Sequence, residues 1–173
     1  MLKTLANALL FQAGWFACVL GSNSYWQLIA VVLLLIHFLW ISSWAAEGRL
    51  VLLVTLAGIV LDSLLMRLGV FDFGTSGYLI PLWLVLLWAL LGTTLNHCLA
   101  WTAKPLWRAA LLGAISGPMS YYAGSQLAQV SLPLGLWPSM TILSLVWAIT
   151  FPLLQWLATR RALPAANTSG EPF

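Results

Sequence analysis

The stretch LVLLVTLAGIVLDSLLM, residues 50–66, decides the fold. It is an almost unbroken aliphatic run, set off by Gly48-Arg49 on one side and Arg67 on the other. An α-helix needs roughly 20 such residues to cross a bilayer's hydrocarbon core. Outward from it, five more apolar segments follow one another, divided by polar or Gly/Pro punctuation. The six expected spans are residues 5–20, 25–46, 50–66, 78–101, 106–130 and 136–158. The expected fold is an all-α polytopic membrane bundle, a single domain over residues 1–159. A disordered cytoplasmic tail is expected over residues 160–173, which are rich in Ala, Pro, Asn, Ser and Gly.

Composition agrees with this reading. Of 173 residues, 62% are hydrophobic and 6% charged, where soluble domains carry about 25% charged residues. The formal charge of +3 comes without a basic cluster interleaved with polar surface, so nucleic acid is not an expected partner. The lipid bilayer is. With the N-terminus inside, Lys3, Arg49, Lys104, Arg108, Arg160 and Arg161 fall on the cytoplasmic side and Arg67 alone outside. This is the positive-inside pattern, and it places both termini in the cytoplasm. Trp26, Trp44, Trp101, Trp107, Trp137 and Trp156 lie near span ends, where an indole is stable at headgroup level. Trp15 and Trp147 lie deeper and read as packing residues. The first segment lacks a small-x-small cleavage site and carries Asn7, Gln12, Trp15 and Phe16, so it reads as a retained helix rather than a signal peptide.

Polar residues inside such segments are the candidates for function. Asp62 comes first, and Thr55, Gly58 and Asp62 follow i, i+3, i+7 spacing on one helix face. A proton, cation or headgroup site and a structural hydrogen bond both remain open for it. Arg67, five residues on, is about 140° round the helix and is not its local partner. In the fourth segment Thr93, Asn96 and His97 form a second group, with His37, Asn7, Gln12 and Gln155 at similar depth. A polar cavity and simple interhelical hydrogen bonding both remain open for these. Glu47, beside Arg49, reads as an interfacial ion pair or cap at the cytoplasmic end of the second span, with a headgroup contact also open.

No metal and no cofactor are expected. Two histidines without a nearby pair of carboxylates or thiolates fall short of the usual ligand sets. Cys18 and Cys98, in opposite leaflets, have no metal-ligand spacing. No Ser or Cys has the G-x-S-x-G context of a nucleophile, and catalytic residues stay unassigned.

The fifth segment carries Gly113, Gly117, Ser120, Gly124 and Ala128 on one small-residue face, an association surface in lipid through which a homo-oligomer is possible. Pro118 removes one backbone donor, so a kink or hinge is expected, and Tyr121 follows it.

Several of these features occur together in an ordered set. It comprises Asn7 with Phe11-Gln12 and Gly14-Trp15-Phe16, Glu47, Gly58 with Asp62, and Leu68-Gly69. It continues with Pro81-Leu82-Trp83, Leu87-Trp88, Thr94-Leu95-Asn96-His97, and Gly117-Pro118 with Tyr121 and Gly124. Over residues 7–130 the chain resembles a bacterial integral membrane family known as domain of unknown function 2878. The resemblance implies an inner-membrane location, and proximity to lipid-acting membrane enzymes as partners. An accessory or scaffold role in membrane-lipid metabolism ranks first. A transporter or lipid translocase coupled through Asp62 comes next, and an intramembrane lipid-modifying enzyme last.

Overall fold

The computed structural model describes residues 1–22, 24–74, 77–128 and 130–161. Six helices carry them: α1 (Leu2–Gly21), α2 (Gln27–Ile36), α3 (Trp44–Arg67), α4 (Leu82–Gly92), α5 (Trp107–Leu127) and α6 (Leu136–Arg161). A π-helical turn, His37–Ile41, extends α2, and a 3-10 turn, Ala100–Thr102, precedes α5. Three helices, α1, α3 and α6, are long and apolar enough to cross a membrane.

The helix count matches the sequence reading, but two boundaries differ where the site is built. The second expected span does not run to residue 46. Its helix ends at Ile41, Ser42 and Ser43 adopt extended backbone, and α3 begins at Trp44. The Ser43 hydroxyl accepts the Ala46 N–H at 3.3 Å, a side-chain N-cap that starts a new helix. Glu47 therefore sits in the first turn of α3, where a carboxylate complements the helix dipole. The fourth expected span is helical only from Leu82 to Gly92. Beyond it the Thr93 and Thr94 hydroxyls donate back to the Leu90 and Leu91 carbonyls, both at 2.6 Å, and the chain continues as turns to the 3-10 segment. Such back-bonding gives the backbone an alternative to the helical ladder.

The fifth helix contains Pro118 within an uninterrupted helical stretch. α6 continues to Arg161, past residue 160 where the tail is expected to start. Residues 162–173 lie outside the described residues.

Antiparallel neighbours pack through glycines. Gly92 of α4 lies against Val51 of α3, and Gly58 of α3 against the Trp88 indole. Gly113 and Gly117 of α5 receive Trp147 of α6, with Phe151 also against Gly113. Trp88 and Trp147 stack, centroids 5.3 Å apart and planes within 12°. The bundle centre is thus layered as Gly58, Trp88, Trp147, Gly117. Two connections are tied together at one end: Asp72 and Ser131 exchange backbone hydrogen bonds of 2.9 Å in an antiparallel bridge, and Ser139 Oγ donates to the Val70 carbonyl at 2.8 Å.

Candidate functional site

Two polar groups and an apolar cavity among four helices stand out on this frame. The first group centres on Glu47. His37 Nε2 lies 3.0 Å from Glu47 Oε2, His97 Nε2 lies 3.0 and 3.1 Å from Oε1 and Oε2, and Asn96 Nδ2 donates to Oε1 at 3.3 Å. The two imidazoles meet edge to face with centroids 5.2 Å apart. Glu47 and His37 are buried, while the His97 side chain retains 20% exposure.

Each partner arrives from a different element. The π turn ends in the Ser42 N–H to His37 carbonyl bond at 2.9 Å and aims His37 at α3. The Ser43 cap sets Glu47, and the irregular chain after Gly92 sets Asn96 and His97. Lys3, near the start of α1, donates to the Ile41 carbonyl at 3.3 Å, placing a cation on the last carbonyls of the second helix.

Asn7 of α1 fixes the far side of His37. Its Oδ1 accepts the Cys98 backbone N–H at 3.2 Å, and its Nδ2 donates to the Thr93 carbonyl at 3.1 Å. A backbone N–H can only donate and a carbonyl can only accept, so the Asn7 amide has one sensible orientation. The remaining Nδ2 hydrogen then points at His37 Nδ1, 3.3 Å away. That nitrogen must be an acceptor without a proton, and His37 carries its proton on Nε2, directed at Glu47.

The two histidines and Glu47 offer ligand atoms all within 4.8 Å of one another, and two histidines with one glutamate is a known zinc set. The sequence reading looked for a pair of carboxylates or thiolates beside the histidines; the fold brings one carboxylate, Glu47, to them. The second shell does not fit a metal. A histidine bound through Nε2 donates its Nδ1–H to an oxygen, whereas here Asn7 presents N–H to that nitrogen. Turning the amide over would leave the Cys98 N–H facing N–H and the Thr93 carbonyl facing oxygen.

The second group centres on Asp62, which is fully buried. Trp88 Nε1 donates to Oδ2 and the Tyr121 hydroxyl to Oδ1, each at 2.6 Å. Asp62 thus joins α3, α4 and α5, and it does not converge with Asn96 and His97. Gly58 and Asp62 share a face, as their spacing requires, and both meet Trp88. Thr55 instead donates to the Val51 carbonyl of its own helix at 2.7 Å. Arg67 lies over the Tyr78 ring, 4.6 Å from its centroid. Gln155 Nε2 bridges to Leu99 O and Thr102 Oγ1, both at 2.9 Å.

A cavity of about 470 Å³ lies between α1, α4, α5 and α6. Trp15, Trp83, Leu87, Trp88, Tyr121 and Trp147 are among its walls. Gln12 and Gly124 also line it, and a Cβ at Gly124 would meet nothing within 4 Å. Trp15 Nε1 donates to Ser120 Oγ at 3.0 Å, joining α1 and α5 along its wall.

A family model described as protein of unknown function (DUF2878) matches residues 4–153. The chain belongs to this family. The match extends beyond the ordered motifs of residues 7–130 into α6, and takes in the Glu47 group, the Asp62 group and the cavity. No curated protein and no protein of solved structure matches the chain.

Trp88 and Tyr121 stand in the sequence reading as parts of the ordered motif set, Tyr121 also as a polar candidate, but their pairing with Asp62 was missed. The signal that could have found it is a lone buried acid, which requires hydrogen-bond donors from other helices.

Proposed function

We propose that this DUF2878 protein is a multi-pass protein of the bacterial inner membrane, with both termini cytoplasmic, that holds an apolar molecule of acyl-chain type. In this reading it serves membrane-lipid metabolism as a binding component, alongside lipid-acting enzymes, rather than as the catalyst. The cavity carries the proposal. Its volume of about 470 Å³ lies within the roughly 300–1,000 Å³ typical of small-molecule sites. Its walls are aromatic and aliphatic, with Gln12, Ser116 and Ser120 as sparse polar points. Met119 and Ser120 on the α5 side are exposed, so the mouth faces the surroundings of the bundle.

A pure scaffold would use its small faces and hold no cavity. Here Gly113 and Gly117 are occupied by α6 of the same chain, and Gly124 opens on the cavity. Coupling through Asp62 is less well supported, because both its oxygens are taken by the cavity-wall residues Trp88 and Tyr121. An enzyme combining Asp62 with His97 loses its premise, since the two belong to separate groups.

Gly124→Leu tests the reading, because it fills the cavity from a position with open space. Native mass spectrometry of wild type released from mild detergent should show a retained lipid, and the variant should lose it while keeping its helicity. Equal retention by both proteins would refute the cavity as the binding site. Lipid profiling of a strain lacking the gene tests the metabolic link, which an unchanged profile would remove.

A further inference from the structure

We propose that the lipid held by this protein has two acyl chains, one seated in the cavity and the other in a groove on the opposite flank of α5. The proposal rests on the cavity reading and names the class of its ligand.

The groove lies between α5 and α6 and measures about 510 Å³. Pro118, Met119 and Tyr122 of α5 form one side, and Trp137, Met140 and Leu145 of α6 form the other. Pro118 and Tyr122 face the groove, while Ser120 and Gly124 face the cavity. Positions two apart in a helix point roughly 200° apart, so the two spaces lie on opposite flanks of α5.

From Leu136 to Leu145 the groove follows α6 for roughly 14 Å at the helical rise. The cavity follows α5 from Leu112 to Gly124 for roughly 18 Å. A bilayer's hydrocarbon core is roughly 30 Å thick, so each space has about the depth of one leaflet, which is the reach of one chain. A helix from a second copy would need a seat of the full thickness.

The groove is dressed for hydrocarbon. Pro118 leaves the Ala114 carbonyl without its helical N–H donor, and Ser144 Oγ of α6 donates to that oxygen at 2.8 Å. Thr141 Oγ1 donates to the Trp137 carbonyl of its own helix at 2.9 Å. Both hydroxyl groups on the α6 wall are thus turned to backbone carbonyls.

Two relations tie the groove to the cavity. Met119 is exposed and lines both, so one side chain is the ridge between them. Both also reach the same end of the bundle. The cavity extends to Phe73 and Val130, next in sequence to the bridged Asp72 and Ser131, and the groove starts at Leu136 and Trp137. Trp137 is an exposed indole there, of the kind that sits at headgroup level. A lipid with its headgroup at this end sends one chain down each side of Met119. The two volumes, about 510 and 470 Å³, are nearly equal, as paired chains require.

The experiment is native mass spectrometry of the full-length protein, delipidated in detergent and offered dipalmitoyl phosphatidylethanolamine or its one-chain lyso form. Wild type should favour the two-chain lipid by roughly tenfold or more, since each buried CH2 adds to affinity. Thr141→Trp, which places an indole in the groove, should lose most of that preference and bind the lyso lipid as wild type does. Leu145→Trp, from the same wall, serves if Thr141→Trp does not fold. Gly124→Leu should weaken both lipids. Unchanged retention of both in Gly124→Leu would overturn the cavity reading, and this proposal with it. Equal retention of the two lipids by wild type, or a preference unchanged in both groove variants while Gly124→Leu is defective, would overturn the two-chain proposal alone. So would a native dimer lost in Thr141→Trp, which would put a second copy in the groove.

Discussion

The indoles of Trp88 and Trp147 lie face to face, 5.3 Å apart, with Gly58 behind one and Gly117 behind the other. The stack spans four helices and carries the cavity wall on its flank. A methyl group at either glycine would run into an indole, whereas Gly124 on the same face of α5 has open space. Gly58→Ala and Gly117→Ala should each cost about 1–3 kcal/mol through overpacking. Gly124→Ala should lie within about 0.5 kcal/mol of wild type or be stabilising by up to 1 kcal/mol through helix propensity. Unfolding in mixed micelles followed by tryptophan fluorescence checks the contrast.

Asp62 joins that stack to α5 through its two acceptors. In Asp62→Asn one acceptor oxygen becomes a donor facing Trp88 Nε1 or the Tyr121 hydroxyl. An unsatisfied buried group costs about 1–3 kcal/mol, and near-ultraviolet circular dichroism should report a disturbed indole stack. Tyr121→Phe should cost less in the Asp62→Asn background than in wild type, the coupling expected of groups in one network.

Glu47 receives three donors from two other segments. Glu47→Gln keeps the size, removes the charge and turns one acceptor into a donor. A loss of about 1–3 kcal/mol is expected, with most of it already taken in a His37→Gln, His97→Gln background. A double-mutant cycle on micellar unfolding measures the shared part.

The Asp72–Ser131 bridge holds two connections at the same end of the bundle. Single cysteines at Asp72 and Ser131 should react with an impermeant thiol reagent from the same side of the membrane. Cysteines at Lys104 and Arg108 should react from the opposite, cytoplasmic side. Labelling of all four from one side would refute the proposed topology.

The apolar runs made the helices legible, because hydropathy is a local property. It is blind to a break such as Ser42–Ser43, where two hydroxyl residues stop one helix and cap the next without lowering the apolar run around them. The end of α4 was hidden similarly: Thr93 and Thr94 divert the backbone by their own hydrogen bonds. Asn7, Glu47, Asn96 and His97 stood out as polar residues in apolar surroundings. Their assembly did not, since Glu47 lies 10 residues from His37 and 50 from His97. Asp62 was legible for the same reason, and its partners Trp88 and Tyr121 required the packing of three helices.

The cavity is tested most directly by photolabelling in bilayers with a lipid whose acyl chain bears a diazirine, followed by peptide mapping. The account predicts adducts on the walls of the cavity, residues 83–91 of α4 and 112–124 of α5 among them, that disappear in Gly124→Leu. Adducts confined to the exposed faces of α1 and α2, and unchanged in that variant, would contradict it.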